Sequence, residues 1–185
     1  MVELVTGLLF VLMYLKSGIG LSGDLGLQVS MLQLIRDWIF VSYLMIIFVY
    51  DLRHMLIIDR FTVPAMVLAI VLNLWLGLVP AWSVLLGGLV LAGFFWLQFA
   101  ISKGVWVGGG DIRMGALMGF MLGLQYGLVA LFLAYVFGAI VGVVMMASGK
   151  ATRKTPMPFG SFLAVATLLT LFAGESLLDW YLNLF

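Results

Sequence analysis

Of the eight carboxylates in this 185-residue chain, two groups stand where acids are unusual. Asp111 follows three glycines in Gly108-Gly109-Gly110-Asp111-Ile112-Arg113, inside a long apolar stretch. Asp51 and Asp59 bracket Leu52-Arg53-His54-Met55-Leu56-Ile57-Ile58 at the end of another. Two carboxylates in one dry site do not both ionise readily, so the pair shares a proton. One takes a proton from a water while the other donates to a carbonyl. That chemistry hydrolyses an amide with no metal and no cofactor, and none is expected here. Other chemistries lack their residues. There is no cysteine, His54 is the single histidine, and no Gly-rich loop ends in Gly-Lys-Ser/Thr. These absences exclude thiolate nucleophiles, disulfides, His-rich metal sites and a phosphate-binding loop.

The elements that position these acids follow from composition. The chain is 65% hydrophobic and 9% charged, against about 25% charged in soluble domains. It cannot cover a water-facing surface and reads as an all-α, polytopic bundle of six to seven transmembrane helices in a single domain over residues 1–185. Spans of about 20 apolar residues are expected at 3–20, 38–58, 61–79, 82–102, 105–124, 127–147 and 160–178. Tight turns are expected at Val79-Pro80-Ala81 and around Gln125, and a proline-punctuated loop from Lys150 to Pro158. No duplicated half suggests a repeat-built transporter. A net charge of +1 gives no reason to expect a nucleic-acid partner; membrane lipid is the expected surrounding.

Arg53, Arg60, Lys103, Arg113, Lys150, Arg153 and Lys154 fall on one side of this layout, and only Lys16 and Arg36 on the other. The positive-inside rule places the first group in the cytoplasm, with the N-terminus inside and the C-terminus outside. Asp24, Asp37, Glu175 and Asp179 then lie outside, explained by solvation. Counting from the expected span ends, Asp111 stands about six residues deep and Asp51 about seven, roughly 9–10 Å at the helical rise, while Asp59 is at the boundary. Ionisable groups at such depth usually face the bundle interior and mark function. Gly115, Gly119 and Gly123 continue the Asp111 face at intervals of four, a small-residue stripe on which another helix packs. If that helix carries Asp51, the carboxylates meet. The three glycines leave the backbone free to unwind, so that an extended substrate lies against it.

Structural readings of the same residues exist. An acid after glycines at a helix start serves as a cap. Asp51 with Arg53, and Asp59 with Arg60, read as interfacial ion pairs of little worth. His54 reads as an interfacial residue rather than a ligand, and the glycine stripe as packing.

Three stretches together become specific. Asp51 through Asp59 resembles the first acidic motif of bacterial type IV prepilin peptidases. Gly108 through Arg113 resembles the Gly-x-Gly-Asp motif shared with preflagellin peptidases and presenilin-type proteases. Lys154-Thr155-Pro156-Met157-Pro158-Phe159-Gly160 is similar to the Pro-Phe-Gly segment near that family's C-terminus. Val2 through Phe10 is similar to the segment where its catalytic core begins, so the resemblance covers nearly the whole chain. It implies a membrane aspartic endopeptidase of the GxGD type, with Asp51 and Asp111 as the catalytic pair. Gly108, Gly110, Asp59, Arg113, Pro158, Phe159 and Gly160 would be the supporting residues.

It also implies substrates, prepilins or pseudopilins with a short basic leader and an apolar helix, cut after a glycine at the cytoplasmic face of the bacterial inner membrane. Ile58 stands where the family commonly has proline, and Arg113 where it often has lysine. Full-length bacterial members carry an N-terminal span and cytoplasmic segment linked to N-methylation. This chain starts after that region, so the expectation is peptidase activity without methyl transfer. Other readings stay open: a peptidase for archaeal flagellin-like leaders, a proton-coupled transporter using Asp51 and Asp111 as a relay, or an inactive scaffold of pilus or secretion assembly.

Overall fold

The computed structural model describes residues 2–17, 24–150, 152 and 155–183, and of residues 24–29, 181 and 182 the backbone alone. Among these residues the chain is helical, without strands. The helices are α1 (Val2–Lys16), α2 (Asp24–His54), α3 (Asp59–Leu76), α4 (Ala81–Ser102), α5 (Gly109–Ala147) and α6 (Phe159–Leu182). Five of them, α2 to α6, are long and apolar enough to cross a membrane. The 15-residue α1 is about 22 Å long, short of the roughly 30 Å hydrocarbon layer. Residues 18–20 of the first expected span, Arg153 and Lys154 of the basic loop, and the Asp24 side chain lie outside what is described.

The 39-residue α5 would be about 58 Å long if straight, twice a bilayer core. It is not straight. Gly123 has φ 77° and ψ −178°, a backbone state essentially confined to glycine, and there the chain reverses. A methyl group placed on Gly127 would lie 3.6 Å from the Gly119 Cα, although eight residues of straight helix rise about 12 Å. Phe95 likewise touches Gly115 in the first half and stacks on Tyr135 in the second. The two expected spans 105–124 and 127–147 are therefore two antiparallel passes joined at Gly123 with no loop. The turn is at glycine rather than around the polar Gln125, because the backbone requirement outweighs polarity.

A reversal within the packed bundle frees buried backbone groups that must find partners in the protein. Asn73 of α3 meets two: its Nδ2 donates to the carbonyls of Phe120 at 2.7 Å and Met121 at 3.1 Å. Ser83 Oγ of α4 accepts the Leu124 N–H at 3.0 Å. Asn73 is itself oriented by Arg36 Nη1, 3.0 Å from its Oδ1, and Arg36 is held by Asp37 Oδ1 at 2.7–2.9 Å. Arg36 and Asp37 are both 6% exposed. Asp37 is thus not the solvated outer acid expected from its position; it is the far end of a buried relay that closes the backbone of α5. A second break, at Ala173 in α6 (φ −125°, ψ 16°), has a similar attendant, since Lys16 of α1 donates to the Leu171 carbonyl at 2.7 Å.

The glycine stripe packs on α4, not on the helix that carries Asp51. A Cβ on Gly115 would meet Phe95 and the Leu91 carbonyl, and one on Gly119 would fall on the Gly87 carbonyl. On Gly87 it would lie 2.7 Å from the Gly123 carbonyl carbon. The Gly87 and Gly119 contacts are backbone against backbone, so neither side yields. The other boundaries shift as well. α2 begins 14 residues before the expected 38 and stops at His54 rather than 58, because Met55 takes a left-handed conformation (φ 51°).

Gly119→Ala should destabilise the chain by about 1–3 kcal/mol or more in detergent unfolding. Gly93→Ala, where nothing lies within 4 Å, should be neutral or slightly stabilising; equal losses at both positions would refute the close approach. Asn73→Leu leaves two buried carbonyls and an Arg36 N–H unpaired and should cost about 1–3 kcal/mol for each group. In the same unfolding measurement Asn73→Gln should fall between Leu and the native residue.

Candidate active site

The Pro158-Phe159-Gly160 segment is the N-terminus of α6, and each residue has a physical task. Pro158 precedes the first helical residue, where a missing N–H costs nothing. Phe159 joins an aromatic cluster, 5.1 Å from the Tyr135 ring centroid and 6.1 Å from that of Phe95. Gly160 makes room, since a Cβ there would lie 3.0 Å from the Asp51 Cγ and 2.8 Å from the Ile57 Cδ1. The chain then presents Ser161, whose N–H and Oγ both donate to Asp51 Oδ2, at 2.5 and 2.7 Å. A helix N-terminus offers free N–H groups and a favourable dipole to an anion. Asp51, three residues before the end of α2, is held there and is 3% exposed.

Asp111 stands in the first turn of α5, and its Oδ2 accepts the Gly108 N–H at 2.9 Å. This is the helix-capping arrangement, and the same bond fixes the carboxylate, which is 9% exposed. Of the three glycines only Gly108 is extended (φ −82°, ψ 162°); Gly109 and Gly110 are already helical. Gly110 leaves space for Ile57, whose Cβ a methyl group there would meet at 2.9 Å. Ile57 thus touches both Gly110 and Gly160, the glycines beside the two acids. Through Ile57 the two acids are brought to the same end of the bundle. Each has one oxygen tied by N–H or O–H donors. The second oxygen of each has no hydrogen-bond partner among the described residues and is not sealed from solvent.

The remaining expected residues divide. Asp59 pairs with Arg113 across α3 and α5 in an exposed ion pair, not with its neighbour Arg60. Asp51 has no cationic partner among the described residues, so the Asp51–Arg53 pairing is also set aside. His54 is exposed and stacked on Tyr50. The depth count fails in its arithmetic, because both acids sit at helix ends rather than six or seven residues inside a span. Helix ends rather than depth bring them to one end of the bundle. Sequence reasoning missed Ser161 and Ile57. Ser161 was within reach of it: the third residue of a helix opening on Pro-Phe-Gly carries a free N–H and a hydroxyl, a ready seat for a carboxylate.

Apolar helices long enough to cross a bilayer define a polytopic membrane protein, and two aspartates from different helices are buried at one end of it. The chain belongs to the type IV leader peptidase family, a family of peptidases whose model matches residues 38–143. That range contains Asp51, Asp59 and Gly108 through Arg113; Pro158-Phe159-Gly160 lies beyond it. The chain is 31% identical over 184 residues to the prepilin leader peptidase/N-methyltransferase of Bacillus subtilis (strain 168), covering 98% of this chain and 68% of that protein. It is 31% identical over 189 residues to the protein of that name from Aeromonas salmonicida (strain A449), covering 99% and 60%. With the Xanthomonas campestris pv. campestris protein the identity is 31% over 195 residues, covering 99% and 61%. The chain therefore spans roughly three fifths to two thirds of these relatives' lengths. No solved structure matches it.

Ser161→Ala removes one of the two donors to Asp51 and should cost about 1.5–3 kcal/mol, the range for a bond to a charged group, in unfolding of the detergent-solubilised chain. Gly160→Ala displaces the carboxylate from both donors and should cost more. The reverse order would remove the packing explanation for Gly160.

Proposed function

We propose that this chain is a membrane-embedded aspartic endopeptidase. It removes the short basic leader from type IV prepilins or pseudopilins at the cytoplasmic face of the membrane, with Asp51 and Asp111 as its catalytic pair. The observation that carries this reading is the half-tied state of both acids: one oxygen of each is fixed by a helix N-terminus or a cap, and the other is open. A water between the open oxygens gives a proton to one carboxylate as its oxygen bonds to the scissile carbonyl carbon. The other member of the pair, a protonated carboxyl, donates its proton to the carbonyl oxygen and recovers one from the adduct's hydroxyl on collapse. Collapse of the adduct breaks the C–N bond, and the proton taken from water passes to the leaving amine. The substrate's apolar helix stays in lipid, and its leader reaches the acids from the water side. The exposed Arg53, Arg60, Lys103 and Lys150 at this end support a cytoplasmic orientation.

In reconstituted membranes, Asp51→Asn and Asp111→Asn should each lower cleavage of a basic-leader substrate by roughly 10³-fold or more while the protein still folds. Full activity in either variant removes that residue from the pair.

A further inference from the structure

The end of the bundle that holds Asp51 and Asp111 is strongly basic, with Arg53, Arg60, Lys103, Arg113 and Lys150 all exposed. A peptide bearing positive charge next to its cleavage point meets repulsion there unless an acid receives it. Two acids at this end are exposed among the described residues. Glu3 stands on α1, beside Val2, which lines a groove with Tyr50, Arg53 and His54. Asp59 begins α3, directly after the Ile57-Ile58 link that touches Gly110 and Gly160. Its partner, Arg113, is two residues past Asp111.

We propose that Asp59 is the specificity residue that receives a basic side chain of the leader, and that Arg113 occupies it until substrate displaces it. This rests on the peptidase reading of the site. The side chains of Arg113 and Asp59 are 46% and 56% exposed, and an ion pair of that kind contributes at most about 1 kcal/mol. Opening it therefore costs little. A lysine or arginine of the leader replaces one cation–carboxylate contact by another, so a basic leader loses nothing on entry. A neutral leader in the same place breaks the Asp59–Arg113 pair without return. Distance limits which leader position is read. Arg113 follows Asp111 by two residues on α5, about 3 Å along the helix axis, and an extended peptide advances about 3.3–3.6 Å per residue. The cation that Asp59 receives is accordingly a few residues from the scissile bond, not at the far end of the leader.

The test uses the full chain in lipid vesicles and three synthetic leader peptides, with lysines near the cut or with glutamines or glutamates in their place. The lysine peptide should show a KM up to about fivefold lower than the glutamine peptide, the discrimination of a single partly solvated charge pair. Asp59→Asn should bring that ratio to about one, and Asp59→Arg should invert the preference toward a glutamate-substituted leader. Arg113→Gln vacates the acceptor and should lower KM for the lysine peptide alone. Equal losses on the lysine and glutamine peptides in Asp59→Asn, with the ratio intact, would overturn the proposal and leave the pair a structural brace. So would a raised KM for the lysine peptide in Arg113→Gln. Binding of the same peptides to the Asp111→Asn chain separates the two readings. A lysine preference in binding that depends on Asp59, without cleavage by the unaltered chain, sinks the peptidase reading and keeps the acceptor. Cleavage with no preference sinks the acceptor alone.

Discussion

The arrangement depends most on the grip of the α6 N-terminus on Asp51. A carboxylate taken out of water must find donors, and the end of α2 supplies none to Asp51. Ser161 supplies two, from 110 residues further along the chain. That pair of bonds decides where α6 begins, why Gly160 has no side chain, and why Phe159 must anchor the segment among Phe95 and Tyr135. It also fixes the carboxylate of Asp51, leaving its second oxygen without a hydrogen-bond partner among the described residues. Asp111 is held on a smaller scale by its own cap, Gly108. One acid is thus set by tertiary structure and the other by local structure.

The lipid solvent imposes the second constraint. A glycine stripe allows α4 and the first half of α5 to touch backbone to backbone, and the reversal at Gly123 folds the second half against them. The polar groups released by that reversal are met by Asn73 and Ser83, and Asn73 is positioned by Arg36 and Asp37. A buried ion pair usually contributes little net stability once desolvation is counted. Here its role is to orient an amide whose bonds seal an opened backbone.

The class of fold was legible in the sequence because hydropathy is a sum over many residues and survives errors at any one of them. The reversal within 109–147 was legible as two spans, but its position was not, since a glycine among other glycines carries no mark of positive φ. Helix ends were legible only where proline or glycine punctuates them, as at Pro80 and Pro158. The end of α2 at His54 was not, because Met55 takes a left-handed turn that its residue type does not favour. Asp37 was misjudged because charge near a span end usually means solvation, and only the contact with Arg36 and Asn73 shows otherwise. Of the site, the separation of Asp51 from Asp59 in burial was expected, though for a reason that does not hold, depth rather than helix ends. Ser161 and Ile57 depend on contacts across more than 50 residues, which spacing does not encode.

The order of these partners along the chain has a consequence for biogenesis. Arg36, Asp37, Asn73 and Ser83 all precede Gly123, so every group that closes the opened backbone has been synthesised before the break itself leaves the ribosome. The hairpin can enter the bilayer onto a prepared surface. Asp51 has the opposite history, since its donors belong to the last helix. Until that helix is inserted, the acid has no seat, and the nascent chain carries a membrane-embedded bundle with a dormant centre. The seat of Asp51 is thus completed only after α1 to α5 have been made, whereas the backbone break at Gly123 meets its partners at once.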